Sequence, residues 1–265
     1  MKNTSSENQK EFYEKCYDRD TSIYSIPKDD DFIYGQILKQ IRPYLSPGLE
    51  VLDLGCNNGT LSLYMAKCGC EVTGIDIASN AIESAKNNRD HHKLYNAKFK
   101  SIDFISDWNE EAAFDFIICN HVIEHVPQDD IFLKKIFESL KIGGNLLLIT
   151  PTSYSSLVFM SKLFTGKFEH DEKVGHLRRY NKNQIKYLVE QSGFKINKIQ
   201  YLDSALRDWL ILFKPLNMLK KLSSYPPLGK VINLTDFLLA NIYFFPAAIS
   251  IHAYKDNQTK IYKNK

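Results

Sequence analysis

Val51-Leu52-Asp53-Leu54-Gly55-Cys56-Asn57-Asn58-Gly59-Thr60 is the stretch that decides the fold. An apolar run, Glu50–Leu54, ends at a glycine turn, and a helical pattern over Leu61–Lys67 starts directly behind it. A strand that turns tightly into a helix marks where open α/β sheets bind nucleotide-like ligands. Gly55 and Gly59 permit close backbone approach. Asn57 stands where a third glycine is often found, and asparagine tolerates the left-handed backbone that such turns need. A G-x-G-x-x-G fingerprint would require glycine at 57 and 60, where Asn57 and Thr60 stand, so a pyrophosphate-bearing dinucleotide such as NAD or FAD is disfavoured.

Outward from this turn the chain alternates. Glu71–Ile75 reads as a strand, Ala81–Asn88 as a helix, Lys98–Ile102 and Phe114–Cys119 as strands, and Asp130–Leu140 as a helix ended by Gly143-Gly144. Leu146–Thr150 is a buried strand closed by Pro151. Upstream, apolar residues at helical spacing from Phe32 to Leu45 end at Pro47-Gly48. Such alternation implies βαβ units and a mostly parallel, doubly wound sheet covered on both faces. After Pro151 come a loop-rich stretch (152–180), a helix at Lys182–Gln191, a strand at Lys195–Leu202, an apolar helical insertion (205–247) and a last strand, Ala248–Tyr254.

The 265 residues suffice for one large domain, and 44% apolar with 25% charged residues excludes wholesale disorder. Residues 1–34 read as a surface arm with short helices, and 35–265 as the domain, with 152–180 as an acceptor-side lid. A net charge of +3 is too mild to nominate nucleic acid as a partner. The polar start carries no apolar secretory segment, and the five cysteines (16, 56, 68, 70, 119) are expected as reduced thiols, so a cytoplasmic setting is expected. In the insertion, the longest apolar run, Phe237–Ile249, is broken by Asn241 and Pro246 and falls short of the ~20 residues that span a membrane. Extra core, a dimer contact and peripheral membrane contact through 205–247 all remain open.

Acidic residues follow the strand ends. Asp53 lies on the first strand, Asp76 lies twenty-one residues after Gly55, Asp103-Phe104 follows the third strand, and Glu124 follows the fourth. A carboxylate at Asp76 can accept hydrogen bonds from a ribose diol. An acid beside an aromatic at Asp103-Phe104 suits an adenine amino group and ring face. Four carboxylates in one crevice favour a cationic ligand over a phosphate-rich one.

These residues in order, Asp53-Leu54-Gly55-x-x-x-Gly59, Gly74-Ile75-Asp76, Asp103, and Phe114 to Val126 with Gly143-Gly144 beyond, resemble the class I S-adenosylmethionine-dependent methyltransferases. The likeness is nearest the branch with the ubiquinone-biosynthesis O-methyltransferases and spans roughly residues 35–203 plus the last strand. It implies a Rossmann-like, seven-stranded sheet whose last strand is antiparallel, with S-adenosyl-L-methionine as cofactor. It further implies that the loop of Gly55, Cys56, Asn57 and Gly59 holds the methionine part, Asp76 with Ile77 the ribose, and Asp103 with Phe104 the adenine. Asn120 and His121 would lie beside the sulfonium.

Methyl transfer from a sulfonium is an in-line displacement, for which holding the reactants in near-attack geometry contributes ~7–11 kcal/mol. A hydroxyl acceptor gains a further ~10²–10⁴-fold from a base, commonly histidine. His121, after the fourth strand, and His176, in Gly175-His176-Leu177-Arg178-Arg179-Tyr180, are the catalytic candidates. His176 reads equally as a surface-loop histidine, and Arg178 as a substrate clamp or a helix-flanking charge. His121, Glu124 and His125 form an H-x-x-E-H cluster, where some relatives hold Mg²⁺ from E-x-x-E-H. With the first Glu replaced by His121, preference shifts towards a softer metal or none. No metal is expected, and His125 is read as packing the following turn.

Residues 160–200 carry nine positive and four negative side chains, which suits an anionic acceptor or merely a solvated face. The expected activity is O-methylation of a small-molecule, glycan or lipid-linked acceptor. N-methylation, and a cofactor-binding partner subunit without turnover, are the alternatives.

Overall fold

The computed structural model describes residues 6–16, 22–155, 171, 174–204, 206, 226–242 and 245–257. In chain order the elements are α1 (Ser6–Cys16), α2 (Gly35–Ile41), β1 (Glu50–Leu54), α3 (Thr60–Lys67), β2 (Glu71–Asp76), α4 (Ser79–His92), β3 (Ala97–Ser101) and β4 (Phe114–Asn120). There follow α5 (Asp129–Ser139), β5 (Leu140–Pro151), α6 (Lys182–Gln191), β6 (Lys195–Tyr201), α7 (Pro226–Asn241) and β7 (Ala248–Tyr254). The seven strands form one sheet in the order β3-β2-β1-β4-β5-β7-β6. Strands β1 to β5 are parallel, and β7 runs antiparallel between β5 and β6.

The continuous apolar runs are explained by burial on both sides. Leu52, Leu54, Ile117, Cys119, Leu146 and Leu148 join one core with α5 and α6, through Phe132, Ile136, Ile185 and Val189. The alternate residues Val51, Phe116, Ile118, Leu147 and Ile149 join a second core with α2, α3 and α4, through Leu38, Ile41, Leu63, Met65 and Ile82. Side chains alternate across a strand, so a strand with two covered faces reads as unbroken hydrophobicity. The chain reverses direction across the sheet between β1 and β4, and the strand ends at that switch point form the crevice where α/β sheets take ligands.

Two sequence expectations change. The helix expected from Phe32 to Leu45 is shorter. The Asp31 carboxylate accepts the Ile33 and Tyr34 amides in a turn, and Pro43 tightens the end into a 3-10 turn, Arg42–Tyr44. Gly143-Gly144 does not stop a helix. α5 ends at Ser139, and the two glycines sit inside a twelve-residue β5, where the register against β4 shifts between Phe114 and Phe116. Gly143, with φ 80°, donates to the Lys255 carbonyl.

The described helix of the N-terminal arm, α1, is tied to the domain by hydrogen bonds. The Glu14 carboxylate of α1 accepts the Ser79 amide at 2.7 Å, the Ser79 hydroxyl at 2.6 Å and the Asn80 amide at 3.2 Å, which caps the exposed end of α4. Of the apolar insertion, residues 205, 207–225 and 243–244 lie outside the described residues. Its described helix, α7, buries Asn233, Asp236 and Ala240, and Asp236 Oδ1 accepts from the Ser204 amide and hydroxyl. Asn233 donates to the Asp31 carbonyl at 3.1 Å, while Val231, Leu234, Leu238 and Ile242 are exposed. No described helix is long and apolar enough to cross a membrane.

Candidate active site

A cavity of about 750 Å³ opens at the carboxyl ends of β1 to β4. Its floor is the turn after β1. Gly55 has φ 68° and Asn57 φ 50°, so asparagine does take the left-handed position the sequence assigned to it. A Cβ on Gly55 would lie 2.3 Å from Val122 Cγ2, so only glycine lets this loop meet the one after β4. Gly59, φ 81°, starts α3 against the Phe99 ring and is not part of the cavity wall, unlike Gly55, Cys56 and Asn57.

Asp76 ties two turns together. Its Oδ2 accepts the Asn57 amide at 3.0 Å and its Oδ1 the Ala78 amide at 3.0 Å, leaving further lone pairs for a ligand. Burial raises its pKa against those two amides. Asp53 is 2% exposed and accepts the Ser62 hydroxyl at 2.5 Å. Burial, opposed by the Ser62 hydrogen bond and reinforced by the charge of Asp76, pushes its pKa up to about 7. Ile77 and Asp103 also line the cavity, and Asp103 Oδ1 holds the Ile105 amide at 2.8 Å. Beside them Phe104 is fixed against Phe132 and Trp108, with ring centroids at 5.3 and 5.7 Å, as an apolar wall.

The far wall follows β4. Asn120 Oδ1 is buried with no hydrogen-bond partner among the described residues, so it has acceptor capacity to spare for a ligand's donor. His121 sits at φ 56°, a costly backbone for a non-glycine residue and one that clusters at functional sites. Its Nδ1 lies 3.1 Å from Glu124 Oε1, and 44% of its side chain is exposed. Desolvation opposes its charged form, but the hydrogen bond and charge of Glu124 outweigh that and raise its pKa.

The fourth expected carboxylate is corrected here. Glu124 is fully buried and does not line the cavity, because the 3-10 turn Ile123–His125 points it inwards at Thr150, whose hydroxyl donates to Oε2 at 3.1 Å. Burial raises its pKa, yet the His121 hydrogen bond and the charges of His121 and His125 pull it below the ordinary value.

His176 is no surface histidine. It lines the cavity with its side chain 11% exposed, and its Nδ1 lies 2.7 Å from Asp171 Oδ1. Arg179 grips the same carboxylate through Nε at 2.9 Å to both oxygens. Arg178 pairs with Asp129 at 2.7 Å and donates to the Pro127 carbonyl, so it is the helix-flanking charge of the two readings, tied to the start of α5. His125 is packed against His176, with ring centroids 4.8 Å apart, and against Tyr13 of α1 edge-on at 5.5 Å. Gln9 and Tyr13 of the arm and Tyr34 complete the wall. The sequence carried no signal for these three, nor for Asp171, since none belongs to a motif. The lid stretch 156–170 and residues 172–173 lie outside the described residues.

A turn that brings backbone amides, an acid and an aromatic to the tips of neighbouring parallel strands defines a nucleoside-binding α/β fold. Residues 31–199 match the profile of the methyltransferase-domain family, and the chain belongs to it, as a class I, S-adenosylmethionine-dependent methyltransferase. Among its relatives is the ubiquinone biosynthesis O-methyltransferase of Coxiella burnetii (strain RSA 493 / Nine Mile phase I). It is 36% identical over 114 residues, which are 43% of this chain and 48% of the relative, so the match spans about half of that enzyme. Two solved structures share the fold. The [4+2]-cyclase SpnF has a TM-score of 0.66 at 15% identity over 95% of this chain and 97% of its own. The Haemonchus contortus phosphoethanolamine N-methyltransferase 2, solved with phosphomonomethylethanolamine and S-adenosylhomocysteine, has a TM-score of 0.66 at 18% identity over 94% and 60%. At such identities these two define the architecture alone.

The residues suit the cofactor. The acidic, phosphate-repelling lining fits a sulfonium and an ammonium group, Asp76 retains acceptor capacity for a diol, and Phe104 offers an apolar face.

Proposed function

We propose that this protein is an O-methyltransferase that uses S-adenosyl-L-methionine to methylate a hydroxyl of a small-molecule, glycan or lipid-linked acceptor. One observation carries this reading. Two imidazoles, His121 and His176, face the cavity, and each has its Nδ1 against a carboxylate oxygen, at 3.1 Å from Glu124 and 2.7 Å from Asp171. A carboxylate only accepts, so it fixes the proton on Nδ1 and leaves Nε2 as the basic nitrogen, as a general base requires.

When bound, the cofactor supplies a methyl on a positively charged sulfur and leaves as a neutral thioether. Asp53 and the Gly55–Asn57 turn hold the methionine part, Asp76 with Ile77 the ribose, and Asp103 with Phe104 the adenine. Asn120 Oδ1, buried and without a partner among the described residues, takes a hydrogen bond on the side of the reacting centre. An imidazole Nε2 accepts the proton of the acceptor hydroxyl as its oxygen is alkylated. Tyr13 and Gln9 of the arm narrow the mouth and limit water. The name of the Coxiella relative agrees with oxygen as the accepting atom. In the described part of the lid Arg178 is paired with Asp129 of α5 and Arg179 with Asp171, so an anionic acceptor draws no support from these two arginines.

Incubation with methyl-labelled S-adenosylmethionine and a fractionated metabolite extract tests the reading. It should release S-adenosylhomocysteine together with a labelled methyl ether or ester. Label found only on nitrogen, or no turnover at all, would overturn it.

A further inference from the structure

We propose that Lys135 of α5 is a positioning residue that holds the turn after β3 in the shape its base contacts need, and so sets the cavity's preference for adenine. This rests on the reading that Asp103 and Phe104 hold the adenine. The Lys135 ammonium donates to the Ile105 carbonyl, to the Trp108 carbonyl at 2.9 Å and to the Phe104 carbonyl at 3.5 Å. An ammonium has three hydrogens and no acceptor, and three carbonyls of one short turn match them.

α5 presents a row of three side chains to this turn, Phe132, Lys135 and Ser139, at the spacing that puts residues on one helix face. Phe132 meets the Phe104 ring edge-on, with centroids 5.3 Å apart. The Ser139 hydroxyl accepts the Trp108 indole N–H at 3.0 Å and donates to the Lys135 carbonyl at 2.8 Å. Between them Lys135 takes the backbone itself. Ring contacts alone tolerate some sliding. Hydrogen bonds from a charged donor are stronger than neutral ones and weaken steeply with distance and angle, so they fix where the backbone sits.

The turn is held at its start as well. Asp103 Oδ1 accepts the Ile105 amide at 2.8 Å, and the Asp103 carbonyl accepts the Asp107 amide at 2.9 Å. Asp103, Phe104, Ile105 and Ser106 line the cavity and Lys135 does not, so the lysine acts through the turn. Without its ammonium the three carbonyls turn to water and the turn samples more shapes, and ligand binding then carries the cost of ordering it. Base preference depends on that order. The Asp103 carboxylate can accept from the amino group of adenine and repels the carbonyl oxygen that hypoxanthine has in its place, but only while it is held at the base edge.

Calorimetric titration of the full-length protein with S-adenosylhomocysteine and with its inosine counterpart, S-inosylhomocysteine, tests this without turnover. The wild type should prefer the adenine ligand, and no preference would overturn the proposal. Lys135→Met keeps the apolar stem and loses the ammonium. It should bind S-adenosylhomocysteine ~10-fold more weakly, and the ratio of the two affinities should shrink several-fold. Lys135→Gln, which keeps a neutral donor, should fall between the two, and it carries the test on its own should Lys135→Met not fold. A folded variant with a lowered Tm and the wild-type ratio would show a merely structural lysine and overturn the proposal. Phe104→Ala separates the two readings. If it weakens S-adenosylhomocysteine binding while folded Lys135→Met keeps wild-type affinity and ratio, the positioning role alone falls. If Phe104→Ala binds as the wild type does, the adenine assignment falls and the proposal with it.

Discussion

The two sides of the cleft are built in different ways. The proposed cofactor side is local: a turn of three residues, Gly55–Asn57, and the acids Asp76 and Asp103 each stand within a few residues of a strand end. The proposed acceptor side is assembled from α1, the turn after β4 and the loop before α6, so that His125 meets Tyr13, Gly175 and His176 at once. The cofactor side therefore depends on backbone geometry that the sheet imposes, and the acceptor side on contacts between segments far apart in the chain. Substitutions should sort accordingly, those on one side moving cofactor affinity and those on the other moving turnover.

Asp76→Ala should break the cofactor side most severely. It removes the acceptor for the Asn57 and Ala78 amides as well as the proposed ribose contact, and S-adenosylhomocysteine binding should weaken ~100-fold by calorimetry, about 3 kcal/mol. Unchanged affinity would refute the ribose assignment. His121→Ala and His176→Ala should do the reverse, lowering kcat by ~10²-fold while leaving that affinity intact. Full activity in either variant would remove it from the catalytic set.

Gly55→Ala separates backbone from chemistry. The added Cβ would sit 2.3 Å from Val122 in a residue at φ 68°, so thermal unfolding should show a loss of about 1–3 kcal/mol. A wild-type Tm would mean that the two loops are not in contact.

The pH dependence of cofactor binding follows from Asp53. Its folded-state pKa of about 7 means that it is largely protonated at pH 6 and anionic at pH 8. Attraction for the ligand's ammonium group is thus lost as pH falls, and S-adenosylhomocysteine affinity should rise several-fold, up to ~10-fold, from pH 6 to 8. Asp53→Asn should flatten that rise, and a steep rise surviving in Asp53→Asn would exclude Asp53 as its source. The smallest effect is expected from Tyr13→Phe. It loses one hydrogen bond to His125, worth about 0.5–1.5 kcal/mol, and should raise the acceptor's KM up to ~10-fold without touching cofactor binding. An effect on the cofactor instead would erase the division between the two sides.

What could be read in the sequence follows the same division. Strands β1 and β7 and helix α6 begin and end where periodicity puts them, because two-sided burial and the Asn181–Gln184 capping box are local signals. The Asp76, Asp103 and Asn57 positions were legible for the same reason. Gly143-Gly144 misled because glycine serves a strand bulge as well as a helix stop, and only the pairing with Lys255 decides between them. Glu124 was assigned to the crevice by its nearness to a strand end, but the backbone turn aims its side chain inwards, a direction that spacing does not encode. Gln9 and Tyr13 escaped notice because their partner, His125, lies 116 and 112 residues away, and Asp171 because it holds His176 and Arg179 within a loop that has no periodicity to read.

The most direct measurement is a crystal structure of the protein with S-adenosylhomocysteine. The ribose should sit on Asp76, the adenine against Phe104, and the sulfur beside Asn120 and His121, with a clear path from there to the histidines. A nucleoside bound outside the β1–β4 crevice, or a sulfur turned away from His121 and His176, would contradict the account.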